Sequence, residues 1–169
     1  MPSPAINNAK ILFVALLTLA LDQLTKWVVI QKLPFNGEPV AVVDGFFELV
    51  HYGNTGAAWS LFSGHNFWLA LFSLVALIFL WVSRLHFGAE TALGQLALGL
   101  ILGGVVGNLV DRVVHHHVVD FLQFHIPFRF PAFNVADSGI CTGVGLMFIQ
   151  SFQNPKPGKT WATKGNALR

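Results

Sequence analysis

The stretch LGQLALGLILGGVVGNLV, residues 93–110, indicates a membrane-spanning helix, because it carries no charged side chain over a length that crosses a bilayer. Three further apolar runs lie at residues 9–30, 67–83 and 137–152. The chain is 54% hydrophobic and 11% charged, whereas a soluble domain carries about 25% charged residues. We therefore predict an all-α polytopic membrane protein, a single domain over residues 1–169 with four transmembrane helices and membrane lipids as its surroundings.

The first apolar run has an alternative interpretation as a cleaved signal peptide, since Lys10 precedes it. No small-x-small cleavage site precedes a polar mature start, and the apolar pattern resumes at residues 27–30. We therefore expect the first helix to be retained.

The basic residues favour one orientation of the four spans. The side of the termini carries Lys10, Arg84 and the basic residues at 156, 159, 164 and 169; the other side carries Lys26, Lys32, Arg112 and Arg129, with every acidic residue except Glu90. Because loops rich in Lys and Arg stay in the cytoplasm, this partition predicts that both termini are cytoplasmic. Residues 153–169, rich in Pro, Gly and Lys, are expected to be a disordered cytoplasmic tail.

Two segments are expected on the opposite, exoplasmic side. Residues 39–62 are rich in Val and Phe and are broken by glycines, a pattern that predicts short strands and turns in a small sheet. Residues 111–136 contain Pro127 and Pro131, which exclude a continuous helix. We expect this second segment to be a structured loop.

Two aspartates stand near the ends of that loop. Asp137 opens the fourth span, Asp120 follows the third, and the prolines between them let the carboxyl groups approach each other. Two close carboxylates share one proton, so that one can activate water while the other polarises a carbonyl, as an aspartic protease requires. From spacing alone, the alternative is that Asp137 is a helix cap and Asp120 a solvated interfacial acid.

Five blocks of sequence resemble, in order, the bacterial signal peptidase II family: LDQLTK (21–26), NTGAAWS (54–60), GGVVGNLVDR (103–112), VVDF (118–121) and FPAFNVADS (130–138). The resemblance implies a periplasmic β-cradle at about residues 39–62 and a multi-pass protein of the bacterial cytoplasmic (inner) membrane. It also implies cleavage of diacylglyceryl-modified prolipoproteins just before the lipidated cysteine, in a site facing the periplasm. Asp120 and Asp137 match the family's catalytic pair, and no cofactor is implied.

Further residues of these blocks are candidates for substrate binding or site support. Asn54 and Gly56 suit the presentation of amide groups to an extended peptide, or form an ordinary turn. Asn108 and Arg112 share one helix face. Arg112 has fixed donors for a carbonyl or carboxylate, with snorkelling to headgroups as its alternative.

The remaining candidates lie in the first and last blocks. Asn134 precedes Asp137 by three residues and can donate hydrogen bonds to the two aspartates, bind the substrate backbone, or cap the helix. Ala136 belongs to the same block. Asp22 and Lys26, four residues apart, are interpreted as a structural pair.

Small residues in the third span predict close helix packing. Gly99, Gly103 and Gly107 recur at small-xxx-small spacing. We expect this stripe to bring the third span against the fourth, and thus Asn108 and Arg112 close to Asp137.

Other classes of function fit the sequence less well. The run His115 to His117 invites a metal site with His125 and Asp120, but consecutive residues do not easily face one ion and no HExxH motif occurs, so no metal is predicted. No GxSxG elbow supports a serine protease. A net charge of +2 gives no reason to expect nucleic acid as a partner, and we expect a monomer.

A non-enzymatic membrane protein, such as a transporter or assembly factor, is the main alternative. It would place polar groups along a pathway at mid-span depth, whereas here they collect at one end of the spans. One departure from the family concerns His116, where glycine is usual. If that position needs a positive φ, the local turn is strained, but the aspartate pair is unaffected.

Overall fold

Four helices and a three-stranded sheet make up the part of the chain that the computed structural model describes, residues 6–56, 61–125 and 130–153. Their order is α1 (Asn8–Lys32), β1 (Val40–Val43), β2 (Phe47–Asn54), α2 (Asn66–Val82), α3 (Ala92–Val114), β3 (Val118–Phe124) and α4 (Val135–Gln153). The predicted class, an apolar helical protein with a small sheet, is confirmed. The predicted tail lies, apart from Gln153, outside the described residues.

The helices differ in how well they match a membrane span. Helices α1, α3 and α4 are long and apolar enough to cross a bilayer. Helix α2 has 17 residues, about 26 Å of helix, at the short end of the range for transmembrane helices. None of the residues in α2 is buried, so its apolar surface is available to lipid.

Helix α3 is the centre of the bundle, because α1, α2 and α4 all pack against it. A Cβ at Gly99 or Gly103 would collide with α1, at Val14 or Ala15. A Cβ at Gly104 would instead collide with the backbone of Ala136 in α4. The expectation that the glycine stripe faces the fourth span is therefore wrong for Gly99 and Gly103. Small residues at every fourth position define a stripe along a helix, but the sequence does not say which neighbouring helix the stripe faces.

The sheet is antiparallel in the order β1-β2-β3, and its third strand lies in the segment that the sequence predicted to be a loop. Tyr52 of β2 pairs with Asp120 of β3, and Asn54 pairs with Val118. Alternate residues of β3, Val119 and Phe121, are buried with Val29 of α1. This packing against α1 anchors the sheet on one end of the bundle, and β3 extends the sheet beyond the predicted 39–62.

A tight turn joins α3 to β3. Helix α3 continues to Val114, beyond the predicted end at 110, and the amide of His115 donates to the Asp111 carbonyl at 2.7 Å. His116 then adopts a φ of 62°. The left-handed conformation reverses the chain within three residues, which is why glycine suits this position and histidine is strained there.

Candidate active site

Asp120 and Asp137 face one cavity although they lie on different kinds of element. Asp120 belongs to β3 and Asp137 to the first turn of α4. Both line a cavity of about 670 Å³ at the end of the bundle that carries the sheet. The structure thus brings together the two aspartates that the sequence singled out.

Asp137 also takes part in capping α4. The side chain of Asn134 accepts a hydrogen bond from the Asp137 amide at 2.9 Å, and the Asp137 carboxylate accepts one from the Asn134 amide at 3.3 Å. This reciprocal pair is a capping box with Asn134 as the N-cap. Capping fixes the backbone of Asp137 and leaves its Oδ1 directed to a different partner.

Three asparagine side chains donate to the two carboxylates. Asn54 Nδ2 lies 3.1 Å and Asn134 Nδ2 2.8 Å from the carboxylate oxygens of Asp120. Asn108 Nδ2 lies 2.7 Å from Oδ1 of Asp137. The arrangement holds both acids in place with neutral donors.

Each of the three asparagines also has its amide oxygen occupied. Asn54 Oδ1 accepts from the Gly56 amide at 2.9 Å, and Asn134 Oδ1 accepts from the Asp137 amide. Asn108 Oδ1 accepts from Lys26 Nζ at 3.1 Å and from Asn134 Nδ2 at 3.3 Å. Because the oxygens are engaged elsewhere, the NH₂ groups are the parts left to face the aspartates.

Burial sets the protonation of Asp120. Asp120 is only 4% exposed, and its pKa is raised from 3.8 to about 7, with loss of hydration as the largest cause. The negative charge of Asp137 contributes to this rise, while the hydrogen bonds from Asn54 and Asn134 and the charge of Lys26 act in the opposite direction. At neutral pH Asp120 is therefore protonated in a large share of the molecules, whereas an exposed aspartate is ionised.

Arg112 lines the same cavity and is buried. It donates to two backbone carbonyls, to Asn108 at 3.3 Å and to Gly56 at 3.0 Å. Within the described residues its Nε has no hydrogen-bond partner. Gly56 thus serves the site through its backbone, since its carbonyl holds Arg112 and its amide holds Asn54.

A buried ion cluster lies directly behind the cavity. Lys26 Nζ is 2.8 Å from carboxylate oxygens of both Asp22 and Asp111, and all three side chains are at most 3% exposed. Gln23 Nε2 donates to Asp111 at 3.0 Å and to Asp22 at 3.2 Å. The predicted pair Asp22 and Lys26 is therefore in contact, as part of a larger group.

The ion cluster accepts hydrogen bonds from backbone amides of both α4 and β3. Asp22 Oδ1 accepts the Ala136 amide at 2.8 Å, which connects α1 to the first turn of α4. Asp111 Oδ2 accepts the Val119 amide at 3.0 Å, one residue before Asp120. Ala136 is fully buried and contributes packing and this amide, without lining the cavity.

Sequence reasoning missed Asp111 and Gln23. Both lie in the blocks quoted above, and polar residues recur at helical spacing on α1 at 22, 23 and 26 and on α3 at 108 and 111. Such paired polar faces in apolar helices are a usable signal for a contact between two spans.

The wall of the cavity is apolar on the side of α4. Ile140 and Cys141 line it one turn beyond Asp137, and Cys141 is exposed. Phe130 and Phe133 contribute aromatic surface from the chain that precedes α4. The cavity therefore combines a polar end at the aspartates with an apolar end along the helix.

The histidines do not form a metal centre in the part of the chain that the structure describes. No group of three or more His, Cys, Asp or Glu side chains there could hold a metal ion. His117 packs on Phe35 with ring centroids 5.4 Å apart, and His125 pairs with Glu48 at 2.9 Å.

Comparisons with known proteins identify the family. A family model described as signal peptidase (SPase) II matches residues 14–153. The lipoprotein signal peptidase of Bacillus subtilis (strain 168) is 41% identical over 140 residues, covering 81% of this chain and 89% of that protein. The lipoprotein signal peptidase of Bacillus pumilus (strain SAFR-032) is 37% identical over 151 residues, covering 89% and 97%. The chain belongs to the signal peptidase II family.

Solved structures agree with this assignment to the signal peptidase II family. A bacterial membrane enzyme determined by the in meso method at 2.3 Å resolution superposes with a TM-score of 0.79 at 25% identity, over 100% of both chains. A second, at 1.9 Å resolution, gives a TM-score of 0.76 at 26% identity, over 91% of this chain and 99% of that one. This member of the signal peptidase II family is accordingly a multi-pass membrane protein and a protease. The resemblance found in the five blocks is confirmed, and the non-enzymatic alternative is not supported.

Proposed function

We propose that this chain is an aspartic endopeptidase that uses Asp120 and Asp137 to remove the signal peptide from diacylglyceryl-modified prolipoproteins, cutting just before the lipidated cysteine. The observation that carries the proposal is the meeting of these two carboxyl groups at one cavity, each held by asparagine donors. The relatives, which are lipoprotein signal peptidases, support this class of substrate.

The two carboxyl groups act as one unit that shares a single proton. Asp120, with a pKa of about 7, supports a singly protonated pair at neutral pH. The ionised carboxylate accepts a proton from a water molecule, and the oxygen of that water attacks the carbon of the scissile carbonyl. The protonated carboxyl donates its proton to the carbonyl oxygen, so the pair ends with the same number of protons and no acyl-enzyme forms.

Collapse of the resulting tetrahedral intermediate completes the reaction. One hydroxyl proton returns to the pair as the C–N bond breaks, and the leaving nitrogen takes up the other proton from the pair. The residues that support the site are Asn54, Gly56, Asn108, Arg112, Asn134 and Ala136. Asp22 and Lys26 form a structural pair behind it.

A substrate whose acyl chains remain in lipid suits the location of this cavity. The apolar wall at Ile140 and Cys141 continues along α4 as exposed apolar surface at Val144 and Phe148. Such a stripe allows a lipid chain or apolar peptide to lie beside the polar end of the cavity. Each buried CH₂ group contributes about 0.8 kcal/mol to anchoring.

The proposed setting follows from the same site. We assign the protein to the bacterial cytoplasmic (inner) membrane, with the aspartates toward the periplasm and both termini in the cytoplasm. It acts as a monomer in contact with membrane lipids. It requires no cofactor, because the carboxyl pair supplies both proton transfers.

Single Asn variants of each aspartate test the proposal. Purified Asp120→Asn and Asp137→Asn proteins should insert, bind a lipidated precursor and fail to cleave it, and the double variant should be hardly worse than either one. Asp44→Asn is the matched control, because Asp44 is an exposed acid in the turn between β1 and β2 and should leave cleavage unchanged. Unlipidated precursor should be cleaved far more slowly than the lipidated form.

Two results would contradict this assignment. Substantial turnover by either aspartate variant would place the chemistry at other residues, the nearby histidines first. Equal cleavage of lipidated and unlipidated precursor would exclude the proposed substrate class while leaving the aspartic mechanism intact.

A further inference from the structure

The side chain of Asn108 contacts both the buried ion cluster and an acid of the cavity. Its Nδ2 donates to Asp137 at 2.7 Å, the shortest of the asparagine contacts described above. Its Oδ1 accepts from Lys26 at 3.1 Å and from Asn134 at 3.3 Å. The orientation of this one amide therefore decides whether Asp137 faces a donor or an acceptor.

Lys26 has its donors fully committed. An ammonium group has three N–H donors, and here they meet Asp22 at 2.8 Å, Asp111 at 2.8 Å and Asn108 at 3.1 Å. The side chain is 3% exposed, so water cannot substitute for any of these partners. A buried ammonium held by two carboxylates has little freedom to move away from the amide.

From this geometry we propose that Lys26 is a positioning residue for cleavage, which fixes the orientation of the Asn108 amide and through it the carboxylate of Asp137. The proposal rests on the function proposed above and adds a role beyond the pairing of Lys26 with Asp22.

The physical reason is the cost of rotating the Asn108 amide by half a turn. Rotation would point the NH₂ group at the Lys26 ammonium and the amide oxygen at Asp137. Donor would then face donor and acceptor would face carboxylate in a buried site, where unsatisfied and opposed polar groups are costly. Without Lys26, the Asn108 amide oxygen keeps only the 3.3 Å contact from Asn134, so the preference for the observed orientation is weaker.

Lys26 has a second, electrostatic effect on Asp120. Among the described residues, the charged and titratable groups around Asp120 include Asp137 on α4, Arg112 on α3, Lys26 on α1 and Tyr52 opposite it on β2. The positive charge of Lys26 lowers the pKa of Asp120 against the effect of burial. Loss of that charge should therefore move the limb of the activity profile that reports Asp120 to higher pH.

A double-mutant cycle tests the proposal. We would measure kcat and KM of folded enzyme on a lipidated precursor for wild type, Lys26→Met, Asn108→Ala and the two combined. Lys26→Met should lower kcat about 10-fold with KM changed less than about twofold, and should cost almost nothing in the Asn108→Ala background. Equal fold-losses in the two backgrounds would overturn the proposal.

Folding is controlled by a second pair of variants. Lys26→Met leaves two buried carboxylates unpaired, whereas Lys26→Met with Asp111→Asn restores the net charge of the ion cluster to its wild-type value. The Lys26→Met, Asp111→Asn double variant should fold and should keep the lowered kcat of Lys26→Met. Asp111→Asn alone leaves the Lys26 contact to Asn108 intact. Unlike Lys26→Met, it should not move the pH profile upward.

The outcomes separate this proposal from the proposed function. Two results would reduce Lys26 to a structural role. One is a wild-type kcat in the Lys26→Met, Asp111→Asn double variant, and the other is an upward pH shift in Asp111→Asn equal to that of Lys26→Met. Cleavage by Asp120→Asn or Asp137→Asn would overturn both proposals. Inactivity of those two variants together with additive losses in the cycle would overturn only the role of Lys26.

Discussion

At the scale of single residues, the protonation of Asp120 links the site to the stability of the protein. Its pKa is 3.8 in an exposed chain and about 7 in the fold, so the native state holds this proton more tightly than the unfolded state. Between these two values the unfolded state binds fewer protons. The free energy of unfolding therefore falls as pH rises through this window, by at most about 1.4 kcal/mol per pH unit from this group.

The prediction is a pH-dependent gain in stability for Asp120→Asn. The variant lacks the titrating carboxyl, so its unfolding midpoint should decline less than that of wild type between about pH 4 and about pH 7. Thermal unfolding in detergent at several pH values measures this slope. Parallel slopes for the two proteins would show that Asp120 does not hold its proton in the fold.

At the scale of elements, the turn between α3 and β3 depends on the backbone of His116. Its φ of 62° is tolerated by histidine and is unfavourable for β-branched residues. We predict that His116→Val lowers the free energy of unfolding by about 1–3 kcal/mol. His116→Gly should be at least as stable as wild type, because strain relief offsets the added freedom of the unfolded chain. Equal stability of the Val and Gly variants would contradict this account.

The contact between α3 and α4 gives a sharper pair of variants. A Cβ at Gly104 would overlap the backbone of Ala136, while a Cβ at Gly145 would have no neighbour within 4 Å. Gly104→Ala should therefore destabilise by about 1–3 kcal/mol through overpacking. Gly145→Ala should be neutral or stabilise by up to about 1 kcal/mol through helix propensity. Similar midpoints for the two variants, measured by thermal unfolding, would contradict the packing of α3 on α4.

At the scale of the whole molecule, the arrangement of spans predicts opposite locations for two loops. Arg84 follows α2 and His115 follows α3, so one membrane crossing separates them. Reporter fusions at these residues should give a cytoplasmic signal at Arg84 and an exoplasmic signal at His115. The same signal at both positions would exclude the proposed topology.

The sequence predicted what depends on composition and local order. Apolar length alone located the four helices. The positions of Asp120 and Asp137 at the ends of the third and fourth spans indicated a pair, and the five blocks matched them to a catalytic pair. The strand β3 was missed because its short alternation lies between histidines and prolines, and its partner β2 is distant in sequence. Strand formation of this kind depends on a neighbour that local patterns do not reveal.

The buried ion cluster is a part of the site that could not be predicted from the sequence. The contact of Lys26 with Asp111 depends on how α1 and α3 are rotated about their axes. That rotation follows from Gly99 and Gly103 packing on α1, and a glycine stripe does not name its partner. The polar residues can be read from the sequence, but the contact between them depends on how the helices pack.

Cys141 is a native site for attaching a spectroscopic label. It is the single cysteine of the sequence, its side chain is exposed, and it lines the cavity one helical turn from Asp137. A fluorophore or spin label attached to its thiol would sit beside an occupant of the cavity without any engineered mutation. Binding and release could then be followed in real time in variants that do not cleave, which separates occupancy from turnover.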